Sequence, residues 1–231
     1  MMQFNKFQAL LREDYDFEIL YKDESKFMKF LSKILFFNKT FMTMYVTTIG
    51  NKVYFPSRQW MIKHEHEAMS VLAHEIVHIE QSKKFKMAPF AFLYVFPQSL
   101  ALLSVLAVLG FFNPAFLWCL LFLVCAAPFP APFRKKFEYE GYVMTLFMYD
   151  VQLKNRGFDE AQRMKRLRKL AGFIKSKIFR TSAYYFMWPL KLPISFDKVI
   201  EDIRSGVISD TSEMYDRMQR SYMQAVSAYE L

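Results

Sequence analysis

Apolar positions along the chain change their spacing several times, and each change predicts a new element. Residues 17–23 (FEILYKD) predict a short strand, and residues 24–37 (ESKFMKFLSKILFF) place apolar side chains at helical spacing. Residues 41–56 (FMTMYVTTIGNKVYFP) form two β-rich runs around a glycine–asparagine pair, which is typical of a strand hairpin. Helical spacing returns over residues 60–85. The first part of the chain is therefore predicted to contain a small β-structure that leads into a long helix.

A long run without charged side chains follows, from residue 87 to residue 133. Asn113-Pro114 predicts a turn in its middle, and each half approaches the roughly 20 residues that span a hydrocarbon core. Basic residues flank both ends, so the positive-inside rule places both ends on the cytosolic side. We expect an inserted hydrophobic helical hairpin that is transmembrane or, because prolines interrupt both halves, membrane-dipping. The alternative is the buried core of a soluble helical protein.

Helical spacing also follows this run, over residues 137–155, 159–175, 196–204 and 211–228. The segment 159–175 sets apolar residues opposite five basic ones. That pattern fits a helix that lies on anionic lipid, and it fits an ordinary surface helix with solvated charges equally well. Together with the N-terminal strands, these helices predict an α+β fold that is mainly α.

The composition adds a preference for membranes. Lys and Arg number 31 against 22 Asp and Glu, a formal net charge of +9, while 53% of the residues are hydrophobic and 18% aromatic. A basic and apolar chain favours the membrane lipid bilayer as partner over nucleic acid, for which no motif is present. Residues 1–16 are charged and lack the apolar stretch of a signal peptide, so the N-terminal part is expected in the cytosol. Cys119 and Cys125 lie inside the apolar run and are predicted to be buried hydrophobes.

The clearest chemical motif is His74-Glu75-Ile76-Val77-His78, which matches the pattern HExxH. Two histidines four residues apart project from one face of a helix and can hold one Zn²⁺ through neutral imidazole nitrogens. The glutamate beside the first histidine can accept a proton from the attacking water. We therefore predict His74 and His78 as metal ligands and Glu75 as the general base. The competing interpretation is a pair of exposed helix histidines that pair with Glu75 and Glu80.

A catalytic zinc site needs a third protein ligand, with the fourth position left to water. Glu138 and Glu140, which follow the apolar run, are the candidates. Because they lie two residues apart, they point in different directions on a helix, and only one of them can face the metal. The spacing alone leaves the choice between them open.

The order HEIVH, hydrophobic hairpin, FEYEGY, over about residues 41–150, resembles the membrane-associated, gluzincin-like zinc metallopeptidases of the HtpX and CAAX-prenyl-protease type. The resemblance implies a zincin-like core with a small β-sheet or hairpin before the HExxH helix. It also implies Glu138 as the third ligand, since Glu138 falls on the family's glutamate. Gly141 falls on the family's alanine. Tyr142 stands where the family has an aspartate that supports a metal-site histidine, and it can do so only through its hydroxyl.

Zinc peptidases of this plan also stabilise an oxyanion with a side chain and bind the substrate along an edge strand. Tyr184 and Tyr185 are candidates for the first role, although aromatic residues of a core or an interface give the same pattern. Residues 41–48 or 52–55 are the candidate substrate strands. His64 and His66 are predicted to lie at the N-terminal surface of the HExxH helix.

Two functions follow from these residues. The first is a zinc-dependent, membrane-associated endopeptidase on the cytoplasmic side, which hydrolyses a protein or peptide substrate with metal-activated water. The alternative is a non-catalytic, membrane-anchored binding or structural protein with a vestigial or structural zincin site. Glu75 favours the enzyme, because a structural site needs ligands but no base. In this plan residues 1–86, with the HExxH helix, and residues 134–231, with the third ligand, form one domain around the hairpin 87–133.

Overall fold

The computed structural model describes residues 1–35, 38–127, 129, 131–178, 195–208 and 212–227. Over these residues the chain is mainly helical with one small mixed sheet, which confirms the predicted α+β, mainly α class. The α-helices are α1 Met2–Leu11, α2 Lys26–Ile34, α3 Arg58–Lys63, α4 Glu65–Phe85, α5 Met87–Tyr94, α6 Pro132–Asn155, α7 Glu160–Phe173, α8 Phe196–Arg204 and α9 Glu213–Ser227. The strands are β1 Glu18–Tyr21, β2 Thr47–Ile49 and β3 Lys52–Phe55. Two 3-10 helices, Gln98–Phe111 and Pro114–Ala126, lie between α5 and α6.

The three strands form a sheet in the order β1-β3-β2. β1 runs parallel to β3, and β2 runs antiparallel to it with Thr48 opposite Val53. The β2–β3 pair is the strand hairpin predicted from the sequence. Gly50 in its turn has a φ of 63°, a conformation that glycine adopts without steric cost. β3 is central, and its residues 53–55 are all buried.

The helix predicted over residues 60–85 is divided into α3 and α4. The break falls at His64, whose backbone leaves the helical region with φ −122° and ψ 40°. Its ring stacks on the ring of Trp60, with centroids 5.0 Å apart, and its Nδ1 lies 3.1 Å from the carboxylate of Glu67. The HExxH motif therefore lies in the middle of α4, as predicted, and the helix begins later than the periodicity suggests.

By its internal contacts the chain divides into two compact units. The first unit comprises residues 1–80, 141–171 and 194–231, and the second comprises residues 81–140 and 172–193. In the first unit, α1 supplies Phe4 and Phe7, which make edge-to-face contacts with Phe55 of β3 and Tyr222 of α9. All four rings are buried, so the small sheet and the terminal helices share one core.

The basic helix α7 buries its apolar side within the first unit. Met164, Leu167 and Ala171 are buried there, while the basic residues Lys165 and Arg166 are exposed. A helix that inserts its apolar side into lipid would leave that side uncovered. Of the two interpretations of this segment, the structure therefore favours the surface helix with solvated charges.

The second unit contains the apolar segment. α5 and the first 3-10 helix meet at an angle of 104°, and the second 3-10 helix returns alongside the first. Asn113 caps the return, since its Oδ1 accepts a 2.9 Å hydrogen bond from the backbone N–H of Ala115. Gly110 lies so close to Leu117 that an added Cβ would stand 2.7 Å from the leucine Cδ2. A hydrophobic helical hairpin is thus present, but its arms are 3-10 helices.

The surface of this hairpin is strongly apolar. Phe111 and Phe112 at its tip are 94% and 88% exposed, and Leu102 and Trp118 are each 72% exposed. Among the described residues no single helix combines the length and apolarity needed to cross a bilayer, whereas the bent pair of α5 and the first 3-10 helix passes that test together. Cys119 and Cys125 carry free thiols and are half-buried, which is less burial than predicted.

Candidate metal centre

The three candidate site residues of the HExxH motif are buried on one helix. His74, Glu75 and His78 of α4 are 8%, 9% and 7% exposed. The two histidines lie one turn apart, and their rings meet edge to face with their Nε2 atoms 3.2 Å apart. The competing interpretation, two exposed histidines on a helix surface, is therefore wrong.

Thr145 of α6 contacts Nδ1 of His74. The Thr145 hydroxyl donates to the carbonyl oxygen of Gly141 over 3.2 Å, and its Oγ1 lies 3.0 Å from Nδ1 of His74. A hydroxyl has a single proton, so the contact with His74 requires an Nδ1–H donor. The lone pair of a neutral imidazole then lies on Nε2, on the side that faces His78. The sequence analysis missed Thr145, although it stands two helical turns after Glu138, on the same face of α6.

His74, His78 and Glu138 form a buried group that could bind a metal ion, since one ligand atom from each lies within 4.8 Å of the others. Glu140 is exposed instead, and its Oε2 accepts a 2.7 Å hydrogen bond from Nε2 of Gln81. The two glutamates thus point in different directions, as expected of residues two apart on a helix. Of the two glutamates, Glu138 therefore belongs to the group of potential metal ligands.

The carboxylate of Glu138 is held by two residues of the second unit. The hydroxyl of Tyr94, at the end of α5, donates a hydrogen bond to Oε1 of Glu138. Nε of Arg134, one turn before Glu138 on α6, lies 3.9 Å from the same oxygen. The guanidinium of Arg134 also lies over the ring of Tyr94, 5.1 Å from its centroid. Neither residue was among the predicted site residues. Tyr94 lies inside the apolar run, where no sequence motif distinguishes it from its neighbours.

Gly141 leaves room for the ring of His74. A Cβ at this position would stand 2.7 Å from both Cε1 and Nε2 of His74, a separation that real contacts do not show. The family that the motif resembles has alanine here, and alanine does not fit this arrangement without moving the imidazole. Tyr142, the next residue, packs edge to face on His74 with centroids 4.8 Å apart. Thr145 contacts Nδ1 of His74, so a second residue of α6 also lies against this imidazole.

Glu75 is tied to the sheet. The hydroxyl of Thr48 in β2 donates a 2.7 Å hydrogen bond to Oε2 of Glu75. Thr48 belongs to the strand next to β3, so the β-hairpin orients the carboxylate of the predicted general base. This bond leaves Oε1 as the second oxygen through which the carboxylate can accept a proton.

A buried cation, the ammonium group of Lys22, interacts electrostatically with Glu75. Lys22 is fully buried, its ammonium donates a 2.7 Å hydrogen bond to the carbonyl oxygen of Phe41, and it lies 3.9 Å from the centroid of the Phe41 ring. Burial lowers the pKa of Lys22 to about 8, and the Glu75 carboxylate acts in the opposite direction. The sequence analysis did not single out Lys22, which follows β1 as one lysine among many.

The remaining predicted residues do not join the group. Tyr184 and Tyr185, the candidates near an oxyanion, lie outside the described residues. His64 ends α3, and His66 lies in the first turn of α4, where burial lowers the pKa of its imidazole. Within the described ranges neither histidine belongs to a group of potential metal ligands.

No protein-family model, curated protein or solved structure matches this chain. The resemblance to the membrane-associated zinc peptidases therefore depends on the motif residues and on their placement. The fold and the site together define a mainly helical protein with a candidate His–His–Glu metal centre. Its relation to any zincin family stays a prediction.

Proposed function

We propose that this protein is a zinc-dependent, membrane-associated endopeptidase and a divergent gluzincin-like relative. The observation that carries the proposal is the buried group of His74, His78 and Glu138, with the carboxylate of Glu75 next to it in sequence and equally buried. Three potential ligands and an acid–base residue are the parts that metal-dependent hydrolysis needs.

The donor set fits zinc. Two imidazole nitrogens and one carboxylate oxygen are a ligand combination of catalytic zinc, and three protein ligands leave one position open. Two nitrogens at about 2.0–2.1 Å from one tetrahedral ion lie about 3.3 Å apart. The Nε2 atoms of His74 and His78 are 3.2 Å apart, and the contact of His74 with Thr145 directs the Nε2 lone pair toward that point.

Glu75 would perform the proton transfers. A bound zinc ion would supply Lewis acidity, which polarises a peptide carbonyl and makes a water molecule more acidic. The carboxylate of Glu75 would accept the proton of the attacking water and deliver it to the departing amide nitrogen. Its hydrogen bond from Thr48 restricts the rotation of the carboxylate, so the second oxygen can be aimed at the water before the substrate arrives.

The sheet offers one of the two predicted strands to a peptide. β3 has neighbours on both sides, so residues 52–55 cannot accept a further strand. β2 lies at the edge and carries Thr48, the residue that contacts Glu75. An extended protein or peptide substrate that pairs with β2 would run past the general base.

The apolar hairpin supports a bilayer as the partner. Exposed aromatic and aliphatic side chains cover both 3-10 helices, and the apolar segment is flanked in sequence by exposed lysines, namely Lys83, Lys84, Lys86 and Lys136. Lysines beside an apolar segment favour anionic headgroups and the cytoplasmic side. We therefore assign the protein to a membrane, with the catalytic part on the cytoplasmic side and with no nucleic-acid partner.

Metal analysis and a peptidase assay test this function together. We expect the purified protein and its Glu75→Gln variant to hold equal, stoichiometric zinc, and we expect Glu75→Gln to lower kcat at least about 100-fold. A fluorescently labelled unfolded protein, offered in detergent and in anionic vesicles, serves as substrate. Zinc in both proteins with no cleavage by either would favour the non-catalytic, membrane-anchored alternative. A protein that binds no zinc would contradict the proposal outright.

A further inference from the structure

Glu138 receives its hydrogen bond from a residue of the apolar segment. Tyr94 is the last residue of α5, and its hydroxyl donates to Oε1 of Glu138 across 44 residues of sequence. The ring of Tyr94 is itself fixed, because Phe90 lies against it with centroids 5.8 Å apart and Arg134 covers it. A hydroxyl on an immobilised ring is a directional donor.

Such a donor matters for a carboxylate ligand. A glutamate side chain has three rotatable bonds, and free rotation must be lost before it can bind an ion. A hydrogen bond to one oxygen fixes the plane of the carboxylate and leaves the other oxygen for a cation. Residues that orient metal ligands in this way typically change metal affinity about 10- to 100-fold when removed.

We infer that Tyr94 is a positioning residue for Glu138, and that through it the apolar segment sets the metal affinity of the centre. This inference rests on the proposed metal site and deepens it. Arg134 contributes by holding the Tyr94 ring and by adding positive charge beside Oε1 of Glu138. A displacement of α5 that separates the tyrosine from the glutamate would release the third ligand without touching either histidine.

Zinc titration of Tyr94→Phe tests the inference. The variant keeps the ring with its contacts to Phe90 and Arg134 and removes only the hydroxyl. We expect the zinc Kd to rise about tenfold, and the visible absorption of the Co²⁺-substituted protein to weaken as the carboxylate ligand becomes mobile. The metal-free protein should also lose some stability, because the buried Glu138 carboxylate loses a hydrogen bond, so zinc affinity is measured at a temperature where both proteins are fully folded. Tyr149→Phe, in the later part of α6, is the matched control and should bind zinc as the wild type does.

A double-mutant cycle separates positioning from a general structural role. If Tyr94 acts through Glu138, then Tyr94→Phe has no further effect on zinc affinity in a Glu138→Ala background. Additive losses would overturn the inference, as would an unchanged Kd in Tyr94→Phe. Failure of the wild type to bind zinc would instead remove the proposed function itself, so the two failures are distinguishable.

Discussion

Oγ1 of Thr145 lies 3.0 Å from Nδ1 of His74, although the two residues are 71 positions apart. Since the threonine hydroxyl donates to the carbonyl of Gly141, the imidazole must donate to the threonine. A candidate ligand on α4 is thus contacted at its second ring nitrogen by a residue of α6. Metal-binding histidines commonly have such a partner on their second nitrogen.

Thr145→Val should weaken metal binding by about 10- to 100-fold, because the isosteric side chain no longer fixes the His74 tautomer or ring orientation. The measurement is a competitive zinc titration against a chromophoric chelator. Thr145→Ser retains the hydroxyl and should bind zinc within a few-fold of the wild type. Equal affinity in all three proteins would show that the contact has no role in the metal centre.

Gly141→Ala should lower zinc affinity at least about tenfold, since the new methyl group would displace the His74 ring from its contact with Thr145. Replacing glycine by alanine inside a helix ordinarily stabilises it by about 1 kcal/mol. Gly172→Ala, near the end of α7 where a Cβ meets nothing within 4 Å, shows that ordinary effect and serves as the control. If Gly141→Ala binds zinc normally, the close approach of the ring is not required.

Thr48→Val should reduce peptidase kcat about tenfold and leave the zinc content unchanged. The substitution removes a donor to the Glu75 carboxylate, and hydrogen bonds to charged groups contribute about 1.5–3 kcal/mol. Thr47→Val is the matched control, because successive side chains of a strand point to opposite faces. A parallel loss of zinc in Thr48→Val would point instead to damage to the metal site.

Lys22 should make the metal-free protein more stable as the pH rises from about 8 to about 10. Its pKa is near 10.5 when unfolded and about 8 when folded, so the unfolded state holds more protons over this interval and stability rises with pH. This rise in stability ends near pH 10, where Tyr15 starts to act in the opposite direction. Burial raises the pKa of Tyr15 from 10.0 to about 12, so the ionisation of Tyr15 lowers stability as pH rises.

Urea unfolding at several pH values measures this dependence. Lys22→Met, which keeps the length and removes the charge, should lose the rise between pH 8 and 10. An identical slope in the variant and the wild type would exclude Lys22 as its origin.

The sequence predicted those parts of the site that depend on local spacing. His74 and His78 lie one turn apart on any helix, so their proximity follows from the motif. Glu138 and Glu140 point in different directions on any helix, so only one of them can join the two histidines. Which one does so depends on how α6 packs. The strand hairpin was predictable because its turn residues and alternation are local as well.

The parts that depend on tertiary contacts were not predictable. Thr48, Tyr94 and Thr145 reach the site from 27, 44 and 71 residues away, and none of them belongs to a motif. The arms of the apolar hairpin are uniformly hydrophobic, so they show no periodicity that would distinguish 3-10 from α-helical winding. The burial of Lys22 contradicts the usual exposure of lysine, and only the folded chain reveals it.

The turn between β2 and β3 determines which face of β2 carries the side chain of Thr48. Side chains alternate between the faces of a strand, so moving β2 by one position against β3 would exchange Thr48 for Thr47 or Ile49 on the face that meets Glu75. The length of the two-residue turn at Gly50 therefore determines whether Glu75, the predicted general base, has its hydrogen bond from Thr48. One inserted residue at this turn would remove that hydrogen bond while His74, Glu75, His78 and Glu138 are all still present.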